Sequence, residues 1–345
     1  MRTITTLYWT LVALGLLAVA ATGVELAGGE LHPALAGSLA GLLPEPVFLL
    51  LAGVLALVVA ASTALAGHRA ERGPLPVLLT GGGAALASAL LTISVELLAV
   101  LGYLPLVLVL APFDEGIRDV LGAALDAGII SQVLVLIGVL LWADSARRQL
   151  RPPAVVLPAW AGREAAARWG RVAVVLAMVP PLTYALTRLT WLVYPLGFDR
   201  ETWEAANESN TALPGTWLGA FAVVGAVLTL GLTQLWGEVF PRWVPGLAGR
   251  RVPVSLAVVP AGLIALILVP AGISMIRGVL GPQSAFDPVA DWAAYGPTLL
   301  WPFWGLTLGA ATLAYALRRR GEREPAPPAA AGCVRVMSAT CAPRE

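Results

Sequence analysis

Three ionisable side chains, Glu25, Glu96 and Arg188, fall inside otherwise apolar stretches of this chain. A charge within hydrocarbon costs about 2.5–3.5 kcal/mol on insertion scales, so such residues are functional candidates by default. Two carboxylates and one guanidinium can neutralise one another in a hydrogen-bonded cluster, whereas each alone carries its own desolvation cost. Helical spacing adds polar neighbours: Thr92 stands one turn before Glu96, and Tyr184 and Trp191 flank Arg188 at i−4 and i+3. Pro180-Pro181 interrupts the same segment and frees backbone carbonyls below the arginine. The expectation is a polar cavity in the outer leaflet, bordered by the first, third and fifth spans and edged by Glu25, Glu96, Arg188, Tyr184 and Thr92. A structural role competes with it, in which the charges only lock helices together or the carboxylates sit hydrated near the interface.

Those residues have to be held by membrane-crossing elements. The chain is 58% hydrophobic and 12% charged, with a mean hydropathy of +0.80, against about 25% charged residues in soluble domains. A crossing takes about 20 mostly apolar residues, and eight stretches qualify: 7–29, 47–67, 76–100, 127–143, 172–196, 216–236, 252–276 and 293–317. The fourth, bounded by Asp126 and Asp144, is the shortest. The first also resembles a signal peptide, but its long apolar stretch and single basic residue, Arg2, read as a retained span. The fold predicted is an all-α polytopic transmembrane helix bundle.

All 22 basic residues are arginine. With the N-terminus in the cytoplasm, 18 of them fall on cytoplasmic connections and tails, against Arg118, Arg200 and Arg277 outside. Such a bias is the positive-inside pattern and puts both termini in the cytoplasm. It also settles the apolar run 97–113. Were that run a crossing, the six arginines between Arg147 and Arg171 would lie outside. It is therefore read as the end of the third span plus a re-entrant or interfacial segment broken by Pro105 and Pro112. Trp9, Trp142, Trp169, Trp217, Trp236 and Trp292 fall near span ends, as an aromatic belt would.

Residues 1–320 form one transmembrane domain, with a division into halves 1–150 and 170–320 suggested by similar basic, proline-containing connections after the second and sixth spans. Residues 321–345, rich in proline and alanine, read as a disordered cytoplasmic tail. The Arg318-Arg319-Arg320 cluster before it reads as an anchor against anionic headgroups, and the 236–243 segment as an interfacial connection. The acidic connections on the outer side read as solvated loops, with no metal-ligand spacing.

Several chemistries have no residues here. Without lysine there is no Schiff base. His32 and His68 lie on opposite sides, which rules out a bis-histidine haem. There is no HExxH, GxSxG or Walker sequence. No cofactor, no metal and no nucleic-acid partner are expected, and the bilayer is the one partner implied by composition.

The stretch 186–197, with Arg188, Trp191, Pro195 and Gly197, and the stretch 236–253 resemble multi-pass membrane proteins of actinobacteria that carry no assigned activity. The resemblance covers mainly the second half. It implies a bacterial inner (plasma) membrane and supplies no substrate or catalytic residue. Three functional readings stay open: a permease-like role for a small solute or ion, because a polar cavity needs an occupant; a membrane-embedded enzyme acting on a lipid or isoprenoid, with Glu96 or Glu25 as acid or base; and a non-catalytic subunit assembled with an unknown membrane protein.

Overall fold

A computed structural model describes residues 2–22, 38–68, 75–110, 112, 127–149, 158–192, 200, 203–204, 212–281, 287, 289 and 291–320. Glu25 and the 321–345 tail lie outside them. The described residues form nine long helices: α1 (Arg2–Thr22), α2 (Glu45–His68), α3 (Leu75–Thr92), α4 (Val95–Leu110), α5 (Ala127–Gln149), α6 (Arg163–Leu189), α7 (Ala212–Gly231), α8 (Val254–Leu280) and α9 (Trp301–Arg318). No strand occurs among them. In hydrocarbon each backbone N–H and C=O must be satisfied within its own segment, which an α-helix does completely.

Six helical stretches are long and apolar enough to cross a membrane: 45–66, 75–92, 128–149, 163–192, 254–280 and 292–318. The protein is thus a multi-pass membrane protein. The other two predicted spans overlap α1 and α7, which are apolar but fall, with α4, short of that criterion over the described residues. Lipid-facing stripes are visible at helical spacing: Leu7, Leu11 and Leu14 on α1, and Val172, Val175, Val179, Leu182 and Leu186 on α6, are all exposed.

Helices α1, α2, α3 and α5 pack together, as do α6 with α7 and α9, and α9 with α8. Helix α8 joins the two groups. Its Ile267 and Ala271 belong to one buried cluster with Trp9, Ala85, Ile93 and Leu97, while its Ala265 and Leu268 belong to another with Val174, Ala177, Leu308 and Tyr315. Helix α4 wedges between α5, α7 and α8.

Three expectations are corrected here. The helix does not stop at Ala143; it runs to Gln149. Asp144 is tolerated because Arg147 and Arg148, one turn on, hold its carboxylate at 2.6 and 2.7 Å. Both arginines are half exposed, so Asp144→Asn is expected to lower stability by less than about 1 kcal/mol in thermal unfolding. Next, α6 passes unbroken through Pro180 and Pro181, both buried in its packed face. Neighbouring helices hold the segment where the prolines remove ladder bonds. Finally, Pro105 does not end α4. It leaves the Leu101 carbonyl without its helical donor, while the Trp217 indole N–H donates to the adjacent Gly102 carbonyl at 3.3 Å. The break lies earlier, at Ile93-Ser94.

The belt reading also fails for two tryptophans. Trp9 is 1% exposed and donates to the Gly138 carbonyl at 3.2 Å. A Cβ at Gly138 would sit 2.6 Å from its ring, and one at Gly82 2.6 Å from that of Trp142. Glycine seats on the facing helix let these large rings turn inward.

The connection from α7 to α8, residues 232–253, is folded rather than draped. Val239 and Arg251 form an antiparallel bridge, the Phe240 N–H donates to the Arg250 carbonyl at 2.9 Å, and the Gly249 N–H donates to the Phe240 carbonyl at 3.0 Å. Gly249, at φ +73°, takes the left-handed conformation that this reversal needs. Two of the three arginines read as a lipid anchor instead clamp it. Arg318 donates to the Leu232 carbonyl at 2.9 Å and pairs with Glu238 at 2.7 Å. Arg319 is 3% exposed and donates to the Tyr315 hydroxyl at 2.7 Å and the Val252 carbonyl at 3.2 Å.

Candidate functional site

The break between α3 and α4 positions the first group of polar residues. Ending one helix and starting another inside the bundle exposes carbonyls on one side and N–H groups on the other. Partners are at hand for them. The Ser38 hydroxyl donates to the Leu91 carbonyl at 2.9 Å, and the Ser38 carbonyl in turn accepts from Arg277 of α8. Across the break, the Gln132 side-chain oxygen accepts from the Ser94 N–H at 2.9 Å, and its amide donates to the Ser94 hydroxyl at 3.1 Å. The Ser94 hydroxyl also donates to the Glu96 carboxylate. Ser94 and Gln132 are 0% exposed and Ser38 is equally shut away.

Glu96 therefore sits on the first turn of α4, where the helix dipole favours a carboxylate. Its hydrogen-bond partner is Ser94, not a cation. Thr92, predicted to join it, turns its hydroxyl back onto the Ser88 carbonyl at 2.8 Å. It closes the last turn of α3 beside the break rather than facing the carboxylate.

Arg188 is placed elsewhere. It lies on the last turn of α6, with its guanidinium carbon 4.1 Å from the Trp191 ring centre and 5.0 Å from that of Tyr184. Nη2 donates to the Ala294 carbonyl at 2.7 Å. Nε and Nη1 are buried with no hydrogen-bond partner among the described residues. Tyr184 in turn packs against Trp301, ring centres 6.2 Å apart, so α6, the turn Trp292–Tyr295 and α9 meet at this point. From α4, Tyr103 lies within electrostatic reach of Arg188 and Tyr184.

Of the predicted cluster, the structure brings Arg188 and Tyr184 together and sets Glu96 at a separate locus. The two are related through α4. Tyr103 follows Glu96 by seven residues, about two turns or ~10 Å along the same face. Helix α6 packs on α7 and α9, while α1 packs on α2 and α5; Glu25, the first span's member of the expected cluster, lies outside the described residues. Among the described residues no group of three or more His, Cys, Asp or Glu comes together.

A groove of about 530 Å³ opens separately between α3, α8 and α9, along Leu90, Gly262, Gly305 and Gly309. It has no charged lining residue, and the hydroxyl of its one polar residue, Thr312, is bonded to the Leu308 carbonyl at 2.7 Å. It can take hydrocarbon but offers nothing to orient a polar solute.

Sequence reasoning missed Ser94, Gln132, Tyr103 and Ala294. Gln132 was legible in principle, as an amide within a predicted span, where a buried polar group requires partners. The pair Ser94-x-Glu96 also has the form of a helix start. Ala294 acts through its backbone carbonyl and carries no sequence signal.

Fold and polar loci together define a multi-pass helical membrane protein with a discontinuous helix near its centre. Comparison with protein-family models, with curated proteins and with solved structures finds no match.

Proposed function

We propose that this chain is a permease-like protein of the plasma membrane, with both termini in the cytoplasm, that binds a small solute or ion in the outer half of the bilayer. The observation that carries the reading is the break at Ile93-Ser94. A discontinuous membrane helix with buried Ser94 and Gln132 and a half-buried carboxylate at Glu96 is the kind of element transporters use to coordinate substrates and ions. The break follows a stretch, 75–92, that is itself long enough to cross, and the irregular backbone there is enclosed by protein, with Ile93 and Ser94 both buried. The positive-inside distribution of arginines supports the orientation, and the resemblance to actinobacterial multi-pass proteins supports the location.

Proteoliposome flux tests it directly. Vesicles holding the full chain are assayed for movement of Na⁺, inorganic phosphate and acetate against protein-free vesicles. Flux of at least one is expected, with Glu96→Gln reducing it roughly tenfold or more through loss of a charge-assisted interaction. Absence of flux for the whole set, or flux unaltered by Glu96→Gln and Gln132→Leu together, would retire the reading.

A further inference from the structure

We propose that Arg188 anchors an oxyanion-binding site, taking a carboxylate or phosphate group in the plane of its guanidinium. The inference goes beyond the permease-like reading by placing an anion at a second locus, and it rests on that reading only for the transport of what is bound.

The arrangement around Arg188 is incomplete as it stands. The guanidinium carbon lies over two aromatic rings, 4.1 Å from the centre of Trp191 and 5.0 Å from that of Tyr184. Among the described residues Arg188 forms one hydrogen bond, from Nη2 to the Ala294 carbonyl at 2.7 Å. Nε and Nη1, which carry three N–H donors between them, are buried and have no acceptor among those residues. Nor does the side chain form an ion pair with any of them. Glu96 accepts from Ser94, and Glu204 is held by Arg200 at 2.8 Å. A partly buried guanidinium with no counterion among the described residues is costly, and the cost falls when an anion satisfies its remaining donors.

The geometry also selects the kind of anion. Nε and Nη1 lie on different edges of the planar group, each beside the Nη2 that donates to Ala294, and in-plane guanidinium donors match the oxygens of carboxylates and phosphates. Tyr103 of α4 lies within electrostatic reach of the same charge. In this structure the two free nitrogens are closed off from solvent, so a ligand enters only when a neighbouring side chain shifts. Trp191 is the ring nearest the charge. It sits on the single 3-10 turn after α6, with its ring seated over Gly215, where a Cβ would approach it to 2.4 Å.

The same chemistry could be delivered by a free anion from the outer aqueous side or by a phosphodiester of the surrounding lipid. Thermal unfolding of the full chain in nanodiscs separates them. In discs of phosphatidylcholine alone, inorganic phosphate and acetate are titrated against chloride at constant ionic strength; a parallel set replaces part of the lipid with phosphatidylglycerol. A midpoint rise of about 3 °C or more in the first set identifies a free oxyanion, and one confined to the second set identifies the lipid. In either case Arg188→Gln should abolish the rise, and Arg188→Lys, which keeps the charge but lacks the planar edges, should weaken binding at least tenfold. The proposal is overturned if wild-type protein responds in neither set, or if either variant responds as wild type does. The wild-type arms decide even where Arg188→Gln fails to fold. Binding without flux retires the transport reading alone; flux without binding retires this site alone.

Discussion

Gly305→Val is expected to separate α8 from α9 and to cost about 3 kcal/mol or more, at the upper end of what overpacking does. A Cβ at Gly305 would lie 2.7 Å from the Val269 side chain, 2.9 Å from the Ala265 carbonyl and 3.0 Å from the Val269 nitrogen. Two of those three atoms are helix backbone, which cannot step aside as a rotamer can. Small residues at such crossings replace the hydrophobic drive that lipid removes, because association then depends on close van der Waals approach. One turn away, a Cβ at Gly309 would meet the Ala265 methyl at 3.7 Å, an ordinary contact. Gly309→Ala should therefore be neutral or slightly stabilising, since alanine favours helix. Detergent-solubilised yield and thermal midpoint read both variants; equal behaviour of the two would show that the α8–α9 contact is not the tight one described.

The second large effect is expected at Arg319. Arg319→Leu keeps most of the side-chain volume but strips the Val252 carbonyl and the Tyr315 hydroxyl of a donor, groups held at 3.2 and 2.7 Å. Leaving buried acceptors unsatisfied costs about 1–3 kcal/mol each, so a loss of about 2–3 kcal/mol is expected. The Tyr315 hydroxyl also donates to the Gly237 carbonyl at 2.7 Å, so the 232–253 connection should loosen at both points. Limited tryptic proteolysis of the solubilised protein reads this: cleavage near Arg242 and Arg250 should accelerate in Arg319→Leu and much less in Arg320→Leu. Equal acceleration in the two would place Arg319 at the lipid surface after all. The connection also carries Leu235 and Trp243, 82% and 80% exposed, and holding it folded fixes where those side chains lie.

What was legible in the sequence follows from one-dimensional rules. Apolar length specifies crossings, because hydrocarbon forbids unsatisfied backbone regardless of what surrounds it; hence the six long spans and the all-α bundle could be read along the chain. The arginine distribution supplies an expected side for each connection. Helical spacing likewise placed Tyr184 beside Arg188, since residues four apart share a face whatever the tertiary fold.

Tertiary structure decided everything that depends on which helices touch. Depth alone grouped Glu96 with Arg188, but depth says nothing about azimuth, and packing set Glu96 beside Ser94 and Gln132 while Arg188 turned to Trp191, Tyr184 and the Ala294 carbonyl. Proline was expected to break helices at 105 and 180–181, whereas the break came at Ile93-Ser94, where Ser38 and Gln132 from other segments satisfy the freed backbone groups. The arginines at 318 and 319 behaved in the same way: composition saw cations at a span end, and the folded 232–253 connection supplied buried carbonyls for them to bind. In each case a local rule named the residue, and the partner was chosen by contacts between segments distant in sequence, which no spacing along a single chain encodes.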